Sequence, residues 1–278
     1  MPLRIGWFST GRGEGSRRLL SAAAAAIGRG ELDGEIAFVF SNRERAEHEG
    51  TDGFLDLAAS FGIPCLTLSS RRFRRERDGE LSKRGEPLPP WRAEYDRQVE
   101  ELLAQHPFDI GVLAGYMLIV TPEMSRRHPF LNLHPAEPGG PVGTWQEVVR
   151  QLIDRRAERS GVMIHLATEE LDRGPVLGYC TYSLRGDAFD ALWEAHGSGS
   201  AAETEVESDP LFGEIRRHGA ARELPLIVAT LRAFAQGRLR LDGRKVVDEG
   251  GHALSGGLDL TSEIDAAVAA ELAHPANA

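Results

Sequence analysis

The chain has 278 residues and 30.4 kDa, with 32 Lys and Arg against 42 Asp and Glu and a formal net charge of −10. Only Lys83 and Lys245 are lysines, so arginine carries nearly all the positive charge, and no broad basic face is available to neutralise the phosphates of a nucleic acid. A hydrophobic fraction of 41 % with 27 % charged residues excludes disorder over the whole chain.

Residues 3–8 read as a short apolar strand, and residues 16–27, with five consecutive alanines, as a helix with a small-residue packing face. Residues 35–40 predict a second strand, 51–61 a helix, 64–68 a third strand, 92–105 a helix and 109–114 a fourth strand. Strands alternating with helical crossovers pair in parallel with right-handed connections, so an α/β doubly wound sheet is expected. Residues 130–133, 161–167 and 176–184 supply a fifth, sixth and seventh strand. The apolar run 110–120 has eleven residues with two glycines, short of the roughly 20 a membrane span needs. The first residues run straight into Gly11, Gly13 and Gly15, so no secretory leader is expected. Cys65 and Cys180 lie in apolar runs and predict two buried free thiols in a reducing cytoplasm.

Two segments interrupt the rhythm. Residues 69–90 are polar, with five arginines between 71 and 77 and prolines at 87, 89 and 90, and read as a solvated loop insertion. Residues 196–209 are rich in Gly, Ser, Ala and Glu and read as an exposed connection. Beyond them, 224–236 is apolar at helical spacing, and 238–247 predicts a hairpin turning at Asp242-Gly243. One domain is therefore expected over 1–248, with 249–278 a tail carrying one helix at 263–272.

Ligands of such sheets collect beyond the carboxyl ends of the strands. After the first strand stands Ser9-Thr10-Gly11-Arg12-Gly13-Glu14-Gly15-Ser16-Arg17, a glycine-rich entry to a helix whose N–H groups and dipole favour an anion. It lacks the lysine of a Walker loop, and its third glycine falls one position early for a dinucleotide fingerprint. After the fifth strand stands Asn132-Leu133-His134-Pro135. Alternation along a strand places Asn132 and His134 on one face, an amide donor for an oxyanion beside an imidazole that can move a proton. Asp172, in the turn Glu169-Glu170-Leu171-Asp172-Arg173-Gly174-Pro175, supplies a carboxylate able to hold the imidazole. No two histidines have ligand spacing with a carboxylate, so no metal is expected; His48, His106, His128, His196, His218, His252 and His274 read as surface residues.

Asn132-Leu133-His134-Pro135 followed, thirty-eight residues after the histidine, by Leu171-Asp172-x-Gly174-Pro175-Val176 resembles the 10-formyltetrahydrofolate-dependent formyltransferases. The likeness runs from Ile5 to about Val247 and takes in Val39-Phe40-Ser41-Asn42 and Gly115-Tyr116-Met117. It implies a mostly parallel seven-stranded Rossmann-like sheet and a formyl donor, 10-formyltetrahydrofolate, acting as co-substrate. By that match Met117, Leu118, Ile119 and Val120, with Thr168, Glu169, Glu170, Leu171 and Asp172, hold the folate through backbone groups. Gly15, Ser16 and Arg17 take the phosphate of a small amine acceptor, and Asn132, His134 and Asp172 carry catalysis. The acceptor first implied is phosphoribosylglycinamide of purine synthesis; the alternatives are another small amine metabolite, or a folate- or nucleotide-binding regulator without turnover. The chain departs from the family's usual pattern at Arg17, where Asn is usual, at Leu118, where Arg is usual, and in a longer phosphate loop.

Overall fold

The computed structural model describes residues 1–83, 86–170, 172–186, 188–198 and 208–272. It divides into two compact units: Met1–Asn132 with Leu166–Gly174 and Phe234–Gln236, and Leu133–His165 with Pro175–Ala233 and Gly237–Ala278.

The first unit alternates strand and helix as expected: β1 (Leu3–Ser9), α1 (Glu14–Gly28), β2 (Gly34–Ser41), α2 (Glu49–Ser60) and β3 (Cys65–Thr67). There follow α3 (Ser70–Arg75), α4 (Trp91–Leu103), β4 (Ile110–Leu113), α5 (Pro122–Arg127) and the start of β5 (Phe130–His134). The pairs β1–β2, β1–β4, β2–β3 and β4–β5 are all parallel. Their core is aromatic. The Phe8 ring meets Phe130 edge-on at 5.0 Å and Phe38 at 5.6 Å, packing β1 against β2 and the start of β5.

The second unit comprises the end of β5, α6 (Trp145–Asp154), β6 (Arg159–Leu166), β7 (Val176–Ser183), α7 (Asp190–Ser198) and α8 (Pro210–Ala235). It closes with β8 (Arg240–Asp242), β9 (Lys245–Val247), β10 (Leu258–Asp259) and α9 (Thr261–Leu272). A capping box of Thr144 and Glu147 starts α6, whose Val148, Val149, Leu152 and Ile153 are buried. β6 and β7 run antiparallel, and β8 and β9 form the expected hairpin, with Gly243 in the left-handed region of its turn.

The main sheet has the order β10-β7-β6-β5-β4-β1-β2-β3. It has eight strands where seven were expected. The eighth comes from the segment read as a tail: Leu258 and Asp259 pair parallel with Gly178 and Tyr179, and α9 follows. A two-residue strand has no alternation to read, so only the partner edge of β7 reveals it. Residues 273–278 of the expected tail lie outside the described residues.

Other expectations are corrected. Cys65 is exposed while Cys180 is buried, because β3 is a three-residue edge strand flanked by β2 alone. Burial pushes the Cys180 thiol up to about 12, so it stays protonated. Residues 69–90 are not wholly loop: Ser69 caps α3 through Arg72 N–H, and Phe73 is buried from it; residues 84–85 lie outside the described residues. The connection 196–209 is helical at its start, where α7 reaches Ser198, and residues 199–207 lie outside the described residues. α8 begins at Pro210 instead of near 224, since Leu211, Phe212 and Ile215 already bury one face ahead of Pro225. His128 stacks on Phe108 at 4.9 Å and His218 packs against Phe189 at 4.8 Å, so both are half-buried instead of fully exposed; burial lowers the affinity of both for a proton.

The C-terminal segment gives a first prediction. Leu260, Ile264 and Val268 are 1–3 % exposed, and Asp265 accepts a hydrogen bond at 2.8 Å from Arg222, itself 5 % exposed. Truncation after Glu249 removes three buried aliphatic side chains, worth about 1.5–3 kcal/mol each, and takes the Asp265 carboxylate from a buried guanidinium that keeps only the His218 carbonyl. A lowered urea midpoint is expected. A midpoint equal to that of the full chain would show that this segment contributes nothing.

Candidate active site

The glycine-rich loop leaves β1 and is anchored at Thr10. Its N–H donates to the Gly115 carbonyl at 3.0 Å, and its hydroxyl donates to Asn42 Oδ1 at 2.8 Å while accepting from the Met117 N–H at 2.9 Å. Gly115 has φ +71°, and a Cβ there would stand 2.6 Å from Ser16 Oγ. The expected anion cradle and the start of the expected folate loop are thus held against each other, and only glycine permits it. Gly13 occupies the N-cap of α1 and brings no capping side chain. Ser16 is buried, Gly15 is exposed, and Arg17 turns over the start of α2, its Nη1 donating to the Gly50 carbonyl at 3.4 Å.

The loop 117–120 is fastened by a pair that the sequence reading missed. Arg92, fully buried, donates from Nη2 to the Ile119 carbonyl at 2.7 Å, and Asp96 Oδ2 accepts from the Thr121 N–H at 2.8 Å. The two side chains lie 3.4 Å apart. Burial raises the Asp96 carboxyl above the usual carboxylate range, opposed by Arg92 and the Thr121 N–H. Their signal was present: two charges four residues apart on the helix face that also carries the buried Tyr95, Val99 and Leu103. Met117 is 69 % exposed and Val120 is in the core, so this loop offers backbone groups and one large exposed side chain.

The other expected folate segment starts beside β5, where the Ala167 N–H donates to the Phe130 carbonyl at 2.7 Å. Thr168 Oγ1 donates to the Glu170 carbonyl at 3.0 Å, and Glu169 is paired with Arg126. Asp172 adopts the left-handed conformation with φ +58°. Gly174 lies so close to Leu166 that a Cβ there would be 1.7 Å from the Leu166 carbonyl oxygen. Leu171 lies outside the described residues.

β5 carries Asn132 and His134 two residues apart at its carboxyl end, the same-face arrangement expected. Asn132 and Asp172 belong to the first unit and His134 to the second. Within the second unit, His134 is 2 % exposed, and its Nε2 lies 2.8 Å from the Pro141 carbonyl. A carbonyl can only accept, so this contact puts a proton on Nε2. The buried His165 ring stands edge-on to His134, 6.3 Å between centroids. Among the described residues no cluster of three or more His, Cys, Asp or Glu could hold a metal. An open cleft lined by Thr181, Arg238, Asp259 and Glu263 contains none of these candidate residues.

Chemically, β5 ends in an amide and an imidazole two residues apart. That suits acyl transfer.

Comparison with known proteins agrees. A family model described as formyl transferase matches residues 8–181. The chain is 26 % identical over 249 residues to the phosphoribosylglycinamide formyltransferase of Escherichia coli (strain K12), covering 86 % of this chain and 94 % of that enzyme. It is 28 % identical over 150 residues to the formyltetrahydrofolate deformylase of Bacillus subtilis (strain 168), covering 53 % of this chain and 41 % of that enzyme's length. In fold it is similar to glycinamide ribonucleotide transformylase 1 from Symbiobacterium toebii, with a TM-score of 0.62 and 24 % identity over 88 % of this chain and 93 % of that one. The family match spans most of the first unit, all of β5 and β6 and most of β7, and on it this chain belongs to the formyl transferase family.

Proposed function

We propose that the protein transfers a formyl group from 10-formyltetrahydrofolate to the primary amine of phosphoribosylglycinamide, in the cytoplasm, with residues 1–248 as the formyltransferase domain. The observation that carries this reading is the placement of Asn132 and His134 on one face at the carboxyl end of β5. In this mechanism Asn132 donates from its amide to the oxygen of the formyl group as the amine nitrogen attacks the carbon. His134 takes up at Nδ1 the proton that the attacking amine releases, its cation stabilises the tetrahedral oxyanion until that proton is handed on, and Asp172 supports the cation. The carbon–nitrogen bond to the donor then breaks, and the proton released by the amine passes to the departing donor nitrogen. The backbone groups of 117–120 and 168–172 hold the donor, and no metal takes part.

Gly15, Ser16 and Arg17 are proposed to hold the acceptor phosphate. The guanidinium of Arg17 makes only one long hydrogen bond among the described residues, to Gly50, so little is lost when it turns to a phosphate. Arg17→Ala is expected to raise the acceptor KM by about tenfold or more with a much smaller change in kcat, because a contact remote from the formyl carbon acts mostly as uniform binding. A fall in kcat with an unaltered KM would remove Arg17 from the acceptor site.

A second reading, transfer of the formyl group to water, is favoured by the likeness to the Bacillus subtilis deformylase. One experiment separates them: incubation with 10-formyltetrahydrofolate, with and without phosphoribosylglycinamide, assaying formylated amine and free formate. Formylated amine as the main product supports the proposal. Formate released equally without an acceptor would establish the deformylase reading.

A further inference from the structure

The loops that follow β1, β2 and β3 are tied into one register by a relay of buried side chains. Thr10 Oγ1 donates to Asn42 Oδ1 at 2.8 Å, Asn42 Nδ2 donates to Ser70 Oγ at 3.1 Å, and the Ser70 N–H donates to the Asn42 carbonyl at 3.0 Å. These three residues are 2–5 % exposed. Thr51 Oγ1 adds a hydrogen bond to the Thr10 carbonyl at 2.9 Å. Beyond each member of the relay, by one or two residues, stands an arginine: Arg12, Arg43 and Arg71.

None of the three makes an ion pair among the described residues, whereas Arg72 is taken by Glu44 and Arg77 by Glu94 at 2.7 Å. The carboxylate facing Arg43 and Arg71 is Glu47, whose oxygens already accept from Ser69 Oγ at 2.6 Å and the Glu44 N–H at 2.9 Å. The Nε of Arg43 is buried without a hydrogen-bond partner. Burial, then the charges of Arg12 and Arg71, weaken the hold of Arg43 on its proton. Three cations on loops tied together by this relay, facing one occupied carboxylate, is a costly arrangement in a chain of net charge −10 that has ten more carboxylates than cations to choose from.

We infer that Arg12, Arg43 and Arg71 form an anion site for a phosphate or carboxylate group carried by one of the enzyme's two substrates. Guanidinium forks match the oxygens of either group, and their charge survives at any working pH. Arg12 shares its loop with Gly15, Ser16 and Arg17, so on the acceptor the anion is the one phosphate proposed for that segment, and on the donor it is a carboxylate. The assignment of the site to a substrate rests on the formyl-transfer reading; its existence does not.

The test uses the full chain and inorganic pyrophosphate as probe, titrated calorimetrically at low ionic strength. Arg12 and Arg71 are exposed, so R12Q/R71Q is expected to fold as the unaltered protein does. It should weaken pyrophosphate binding by about tenfold or more. The charge-matched control R18Q/R75Q, altering exposed arginines outside the cluster, should bind as the unaltered protein does. Equal losses in both variants would reduce the effect to net charge and overturn the site, as would an unchanged affinity in R12Q/R71Q. The substrate is then identified by KM. A rise for the acceptor alone assigns the anion to the acceptor, and a rise for the folate donor alone assigns it to the donor's carboxylates. Weaker pyrophosphate binding with neither KM changed would overturn the substrate assignment. Should formyl transfer itself be absent, the titration still decides whether the site exists.

Discussion

His134→Ala is expected to lower kcat by on the order of 10² or more while leaving the affinity for a 10-formyltetrahydrofolate analogue close to that of the unaltered protein. The ring is 2 % exposed and fixed by the Pro141 carbonyl at 2.8 Å, and in the proposed mechanism it exchanges a proton at Nδ1. Removing it abolishes both the base and the cation that the oxyanion needs, and neither loss touches the backbone groups proposed to hold the donor. Asp172→Ala is expected to act in the same direction and to a similar extent, since in the proposed mechanism the carboxylate works through the imidazole. Single-turnover rates with saturating donor, beside analogue binding by calorimetry, make the separation. Near-normal rates in both variants would sink the assignment of this trio. Weakened donor binding in His134→Ala at normal kcat would move His134 from catalysis to binding.

Gly174→Ala is expected to be the most damaging single change to stability, despite adding one methyl group. The added Cβ would stand 1.7 Å from the Leu166 carbonyl oxygen and 2.9 Å from the Leu166 carbonyl carbon. Backbone on both sides leaves no side chain to rotate away, so the turn has to open. A loss of at least about 2–3 kcal/mol is expected, seen as a lower thermal midpoint. The same displacement moves Asp172, held at φ +58° two residues earlier, so turnover should fall beyond what the loss of folded protein explains. A midpoint within about 1 °C of the unaltered protein would show that this turn yields freely, and the close approach would then not account for the glycine.

The local readings that held are those in which one element carries its own explanation. Residues 3–8, 35–40 and 109–114 are short apolar runs between helical segments, and they became β1, β2 and β4 with parallel pairing. The strand expected at 130–133 is β5, Phe130–His134. Asp242-Gly243 needed only turn chemistry to give the β8–β9 hairpin.

What went unread depends on a partner distant in sequence. β10 is two residues long and exists because β7 offers an edge. Cys65 lies in an apolar run, yet it is exposed because β3 closes one end of the sheet. Arg92 and Asp96 look like solvated charges on a helix until the Ile119 carbonyl and the Thr121 N–H are brought to them. Arg12, Arg43 and Arg71 are scattered over sixty residues, and only the relay through Thr10, Asn42 and Ser70 makes them neighbours. By itself the sequence determined the order of elements and the residue types at the ends of the strands, because propensity, alternation and turn chemistry act over a few residues. The tertiary structure alone decided which edges were covered and which buried polar groups met, because those energies arise only when distant backbone and side chains lose water together.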